Sequence, residues 1–159
     1  SAQSRVRISR SRNCASTWRY GSREAPVPEP TPGADLLPYQ YVVMRCVPRV
    51  EREEFLNVGV VVYAQAHDYL DAAWHVDRDR LGALDPALDL DRVCEALEVV
   101  RAVCAGDAAT SAAAGHPLSQ RFGFLKAPRS TVLQPGPVHG GLTRDPARQL
   151  EHLLERLVL

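Results

Sequence analysis

The chain has 159 residues, 45% of them apolar and 24% charged, with nineteen basic side chains matched by nineteen acidic ones and a mean hydropathy of −0.21. That length suits one domain with a sizeable buried core, and the composition excludes a collagen-like chain or a disulfide mini-protein. No apolar run approaches the ~18 residues of a membrane span, and the zero net charge supplies no global pull toward nucleic acid or membrane.

The charge is unevenly spread along the chain. Residues 1–37 hold six arginines (Arg5, Arg7, Arg10, Arg12, Arg19, Arg23) against three acids, whereas residues 38–159 hold 13 basic against 16 acidic side chains. Prolines at 26, 28, 30 and 32 followed by Gly33 oppose both helix and sheet, so residues 1–37 are expected to form a disordered basic, proline-rich tail. Three readings of that tail stand side by side: an upstream extension from a misassigned start, a plain solvated tail, or a basic arm touching RNA, DNA or an acidic partner. The expected folded unit is 38–159.

Tyr39 to Val47 reads as a strand apolar on both faces, hence an interior strand, ended by Pro48. The polar stretch Glu51-Arg52-Glu53-Glu54 connects it, through a Phe55-Leu56 anchor, to a second strand at Asn57–Tyr63, where Gly59 leaves room for a neighbouring backbone or ring. Tyr69 to Val76 alternates Leu70, Ala72, Trp74 and Val76 against Asp71 and His75, the pattern of a half-exposed third strand. Connections this short predict an antiparallel meander.

Asp77 to Leu84 reads as a short helical turn. Asp89 is placed to cap a helix at Leu90–Ala105, with an apolar stripe of Leu90, Val93, Cys94, Leu97, Val100 and Cys104 and Gly106 as its stop. Residues 107–115 are small and polar and are expected to form a mobile loop. Pro117 to Leu125 is expected to form a short helix or turn presenting Phe122, Phe124 and Leu125. Ser130–Leu133 is the fourth strand candidate, and Pro135-Gly136-Pro137 with Gly140-Gly141 marks a loop around His139. Asp145 and Pro146 suit the cap and first position of a last helix whose stripe is Leu150, Leu153, Leu154, Leu157 and Val158. The expected fold is therefore α+β: an antiparallel sheet of about four strands packed with two main helices, at 89–105 and 145–158.

Cys14, Cys46, Cys94 and Cys104 form no C-x-x-C pair, which argues against a zinc ribbon or a thioredoxin motif and favours buried, inert thiols. With no apolar signal core near the N-terminus, the expected compartment is the cytoplasm. No metal site is expected, because the five histidines share no H-x-x-H or H-E-x-x-H spacing. No cofactor is expected either: the chain carries no phosphate-cradling P-loop and no dinucleotide fingerprint. No G-x-S-x-G elbow surrounds Ser130 to support a triad with His139 and Asp145.

From Tyr39 to Tyr63 the chain reads Y-Q-Y-V-V-M-R-C-V-P-R-V-E-R-E-E-F-L-N-V-G-V-V-V-Y. This resembles the bacterial family called domain of unknown function 3037, with its Tyr-rich first strand, V-P-R turn and E-F-x-N-V-G-V block. Arg129-Ser130-Thr131-Val132-Leu133-Gln134, with His139, Gly141, Thr143 and Asp145-Pro146, resembles the C-terminal part of the same family. The likeness covers roughly 38–159. It implies a bacterial protein acting with a partner, a HipA-like kinase being suspected. The family pattern favours glycine just before the E-F pair, where this chain has Glu53.

Two clusters carry candidate chemistry. The first is Arg129, Ser130, Thr131, Gln134, His139, Gly140, Gly141, Thr143 and Asp145. Here a guanidinium fork, an imidazole able to act as a general base and bare N–H groups at a helix entry would suit a phosphate or carboxylate. The second is Arg49, Glu53, Glu54 and Asn57, where paired carboxylates can hold a cation or share a proton. The leading reading is a non-catalytic interaction or accessory protein. Its rival is an enzyme or binding domain for an anionic small molecule using Arg129 and His139. Contact with nucleic acid through the arginine-rich tail is a third reading.

Overall fold

Three consecutive β-rich segments separated by connections of nine and four residues leave the chain little choice but to fold back on itself. In the computed structural model, which describes Cys14, Ala15 and residues 35–159, they do so as β2 (Leu37–Cys46), β3 (Leu56–Ala64) and β4 (Tyr69–Val76). β1 (Cys14–Ala15) and β5 (Leu133–Thr143) complete a five-stranded antiparallel sheet in the order β1-β4-β3-β2-β5. The helices are α1 (Arg78–Leu84), α2 (Leu90–Ala105), α3 (Leu118–Lys126) and α4 (Pro146–Leu157).

Both faces of the sheet are covered. Val42, Met44, Cys46, Val61, Trp74 and Val76 meet α2 and α3 through Leu97, Val103 and Phe122. The opposite face, with Tyr39, Val60, Val62 and Ala73, is closed by Leu150, Leu153 and Val158 of α4 and its C-terminus. β2 is thus the interior strand its two-sided apolar pattern predicts. β4 departs from its half-exposed pattern, because α4 packs across β3 and β4 and buries Ala73. Gly59 sits opposite Trp74, and a Cβ there would lie 2.9 Å from the Trp74 Cβ and 3.0 Å from the Ala73 carbonyl oxygen.

The helix ends obey the residues placed there. Asp89 accepts a hydrogen bond from the Arg92 N–H, and Gly106 closes α2 at φ 77°. Arg121 of α3 donates to the Val103 and Cys104 carbonyls at 3.0 and 2.7 Å, capping the last turn of α2 from outside. Asp145 caps α4, with Pro146 as its first residue.

Two expectations need correction, on the fourth strand and on residues 107–115. The fourth strand is not confined to 130–133: β5 runs from Leu133 to Thr143, through the Pro135-Gly136-Pro137 and Gly140-Gly141 segment expected to be a loop. As an edge strand β5 pairs only with β2, so prolines lacking an N–H are tolerated, and a register shift between Val42 and Met44 absorbs the irregular stretch. Residues 107–115 contain ordered turns: the Asp107 carboxylate takes the Thr110 hydroxyl, and a 3-10 turn at Ala112–Gly115 buries Ala114. The short helical turn expected at Asp77–Leu84 and the short helix or turn expected at Pro117–Leu125 are α1 and α3. The tail expected over 1–37 lies outside the described residues except at 14–15 and 35–37, where Leu37 belongs to β2 and Cys14–Ala15 pair with β4.

Glu53 ends the 3-10 turn Val50–Arg52 in the left-handed region, at φ 55° and ψ 16°. That conformation costs a residue with a Cβ about 1–2 kcal/mol, partly offset in glycine by its larger unfolded-state entropy. Glu53→Gly is therefore expected to stabilise the domain by about 0.5–1 kcal/mol. Urea denaturation checks this, and a lowered midpoint would contradict it.

Candidate functional site

The residues between Arg129 and Asp145 do three separate structural jobs. Arg129 leaves the end of α3 and folds back, its Nη2 donating to the Phe124 carbonyl at 2.9 Å and its guanidinium lying 4.4 Å from the Phe124 ring centre. Ser130 is exposed beside it. Thr131 donates its hydroxyl to the Leu133 carbonyl at 2.7 Å, and Gln134 donates its amide to the Thr131 carbonyl at 2.8 Å, which fixes the turn into β5.

His139 lies six residues further along β5, opposite Tyr41 of β2, and their rings stack at 5.1 Å. Gly140 and Gly141 are strand residues paired with Gln40 and Tyr39. The expected helix-entry anion site at these glycines is therefore absent, since α4 begins only at Pro146 and is capped by Asp145 itself. Gly141 instead admits the Tyr39 ring, which a Cβ would meet at 2.9 Å. Buried Thr143 exchanges two 3.1 Å hydrogen bonds with the Asp145 backbone and positions that cap.

Arg129 and His139 do not converge. The register shift between Val42 and Met44 decides this: plain alternation would put Leu133 and His139, six residues apart, on one face, and the extra residue in β5 turns His139 to the other. Leu133 pairs with Cys46, on the face covered by α2 and α3, and Arg129 sits on Phe124 of α3; His139 pairs with Tyr41, on the face of α4. The sheet lies between the guanidinium and the imidazole, so they cannot grip one small anion.

The second cluster also disperses. Arg49 faces Asp85 at 3.9 Å, and Arg52 pairs with Glu54 at 3.0 Å. Asn57 donates to the Leu157 carbonyl at 3.0 Å, satisfying the C-terminus of α4 from β3. Among the described residues no three His, Cys, Asp or Glu side chains come close enough to hold a metal ion.

Among the described residues two concavities lie on opposite faces of the sheet. The first is a groove of about 190 Å³ between α2, α3 and β5, lined by Met44, Val99, Val103, Phe124 and Leu133 with Arg129 at its rim. Val99 and Phe124 are 41% and 42% exposed, unusual for large apolar side chains that share one groove. The second, of about 300 Å³, lies around Arg45, Glu53, Phe55 and Gln134. Arg45 and Phe55 stand outside both sequence candidates; their one sequence signal is a single charge inside an otherwise apolar strand.

Three of the four thiols, Cys46, Cys94 and Cys104, are shifted away from the thiolate form. Burial pushes the Cys46 thiol up to about 11, burial and the neighbouring Cys14 thiol push Cys94 up to about 12, and burial raises Cys104 as well. Between the ordinary thiol value near 9 and these folded values, the native chain holds protons that the unfolded chain releases. Stability is thus full below pH 9 and falls as pH rises toward 11, by about 1.4 kcal/mol per pH unit for each such thiol. A urea midpoint that stays level from pH 8.5 to 11 would contradict this.

The family model described as protein of unknown function (DUF3037) matches residues 41–158. No curated protein and no solved structure matches the chain. No helix among the described residues is long and apolar enough to cross a membrane.

Proposed function

The chain belongs to the DUF3037 family of proteins of unknown function, and on that premise we propose that it is a non-catalytic interaction protein that docks a partner in the groove between α2 and α3. The observation that carries this reading is the pairing of exposed Val99 and Phe124 along one groove with the Arg129 guanidinium at its rim. Large apolar side chains left in water lose the free energy that burial would return, about 25 cal/mol per Å² of apolar surface, so a covering segment is favoured. Arg129 selects its chemistry. Held by a ring and a carbonyl, with no carboxylate within ion-pairing distance among the described residues, it favours an apolar segment bearing an acidic residue.

The first partner to test is the HipA-like kinase that the family resemblance implies, in a bacterial cytoplasmic setting. Tagged protein is used to capture partners from native lysate at physiological salt, with wild type and Phe124→Glu compared. Wild type is expected to retain the kinase at least tenfold more than the variant, whose exposed position leaves the fold intact by circular dichroism. Absence of the kinase from the wild-type capture, or equal recovery by both proteins, overturns the reading.

A further inference from the structure

We propose that the concavity on the α4 face of the sheet, centred on Arg45, is a binding site for the carboxylate end of an amino acid, free or at the C-terminus of a peptide. Three arginines among the described residues are half-buried: Arg45, Arg78 and Arg121. Two of them are engaged through a terminal nitrogen. Arg78 donates to Asp91 at 2.8 Å, and Arg121 donates to two carbonyls at the end of α2. All three bury an Nε without a hydrogen-bond partner, but Arg45 alone among them has no polar partner at its terminal nitrogens either, and among the described residues no carboxylate lies within ion-pairing distance of its guanidinium. A half-desolvated cation left in this state is costly, and an incoming anion removes that cost.

Arg45 is also held in place. It occupies the interior strand β2, flanked by Asn57 of β3 and Gln134 of β5. Its guanidinium lies 4.3 Å from the Phe55 ring centre and rests against Gly136, where a Cβ would come within 3.1 Å of its Cζ and Nε. Gly136 is therefore a position where only the missing side chain lets the guanidinium lie against the strand. A planar fork fixed by a ring and a backbone has little rotamer entropy left to lose when it binds a carboxylate through two parallel N–H···O bonds.

The rest of the cavity sets the ligand class. Glu53, held in its left-handed turn, adds a carboxylate to the lining, which repels a phosphate dianion and attracts an N–H or ammonium donor. Val47, Val50 and Pro135 supply apolar wall, and the volume of about 300 Å³ suits a single residue. A carboxylate for Arg45, a donor for Glu53 and an apolar side chain between them describe a residue such as leucine. The site lies across the sheet from the docking groove and does not depend on it.

The test is a set of titrations followed by amide chemical shifts, using L-leucine, N-acetyl-leucine, leucine amide and inorganic phosphate as probes. Leucine or acetyl-leucine is expected to bind with a Kd of about 1 mM or tighter, shifting the amides of Arg45, Glu53 and Gln134, while leucine amide binds at least tenfold more weakly. Leucine favoured over acetyl-leucine assigns the free amino acid; the reverse order assigns the peptide end. Arg45→Gln is expected to abolish the difference between acid and amide. The wild-type comparison of acid with amide decides the matter even if that variant fails to fold. No shift with either acid at about 10 mM, equal binding of acid and amide, or binding of phosphate alone overturns the proposal.

Discussion

Trp74→Ala is expected to cost the domain about 3–5 kcal/mol, a third or more of the stability of an ordinary single domain. Trp74 is 1% exposed and is the largest fully buried side chain among the described residues. It lies in β4 opposite Gly59 of β3, and the close approach of those two strands is built around it. Alanine removes the ring from a cluster that includes Leu97, Val100 and Val103 of α2, and strands pinned by their ladders cannot collapse far enough to fill the void. Urea denaturation of wild type and variant gives the difference directly. A loss below about 1 kcal/mol would mean that the ring is not the centre of this core.

Leu150→Ala is expected to cost about 2–5 kcal/mol, for a different reason. Leu150 is fully buried in α4, which with the chain's last residues covers Val60, Val62 and Ala73 on the opposite face of the sheet. That cluster is the smaller of the two, so one leucine is a larger share of it. The sheet separates it from Trp74 and the two clusters share no member, so the two losses are expected to be independent. Amide hydrogen exchange distinguishes them. In Leu150→Ala, protection should fall in α4, including the Val158 N–H that bonds to the Leu154 carbonyl, before it falls in α2. Uniform loss across both helices would show one cooperative core instead.

The two candidate clusters were legible as chemistry but not as geometry. Arg129 and His139 are ten positions apart and belong to one motif-like segment, yet a one-residue register shift in β5 reverses the parity between Leu133 and His139 and so sets the face that His139 takes. Parity could not be read, because Pro135, Gly136 and Pro137 hide the strand that sets it. Glu54, Arg49 and Asn57 each find a nearby partner, in Arg52, Asp85 and the end of α4, and two of those three partners come from elsewhere in the chain.

The sequence by itself determined the meander β2-β3-β4, the helices α2 and α4 with their Asp caps, and the stop at Gly106. Each of these depends on periodicity or on a backbone preference within a few residues, so local physics suffices. Only the tertiary structure decided that a Pro- and Gly-rich run becomes an edge strand, that α4 covers the second face of β4, and that Arg45 opens into a cavity with no carboxylate at ion-pairing distance among the described residues. Those outcomes depend on which surfaces meet across the sheet, and burial against a distant partner outweighs the local preference of any one segment.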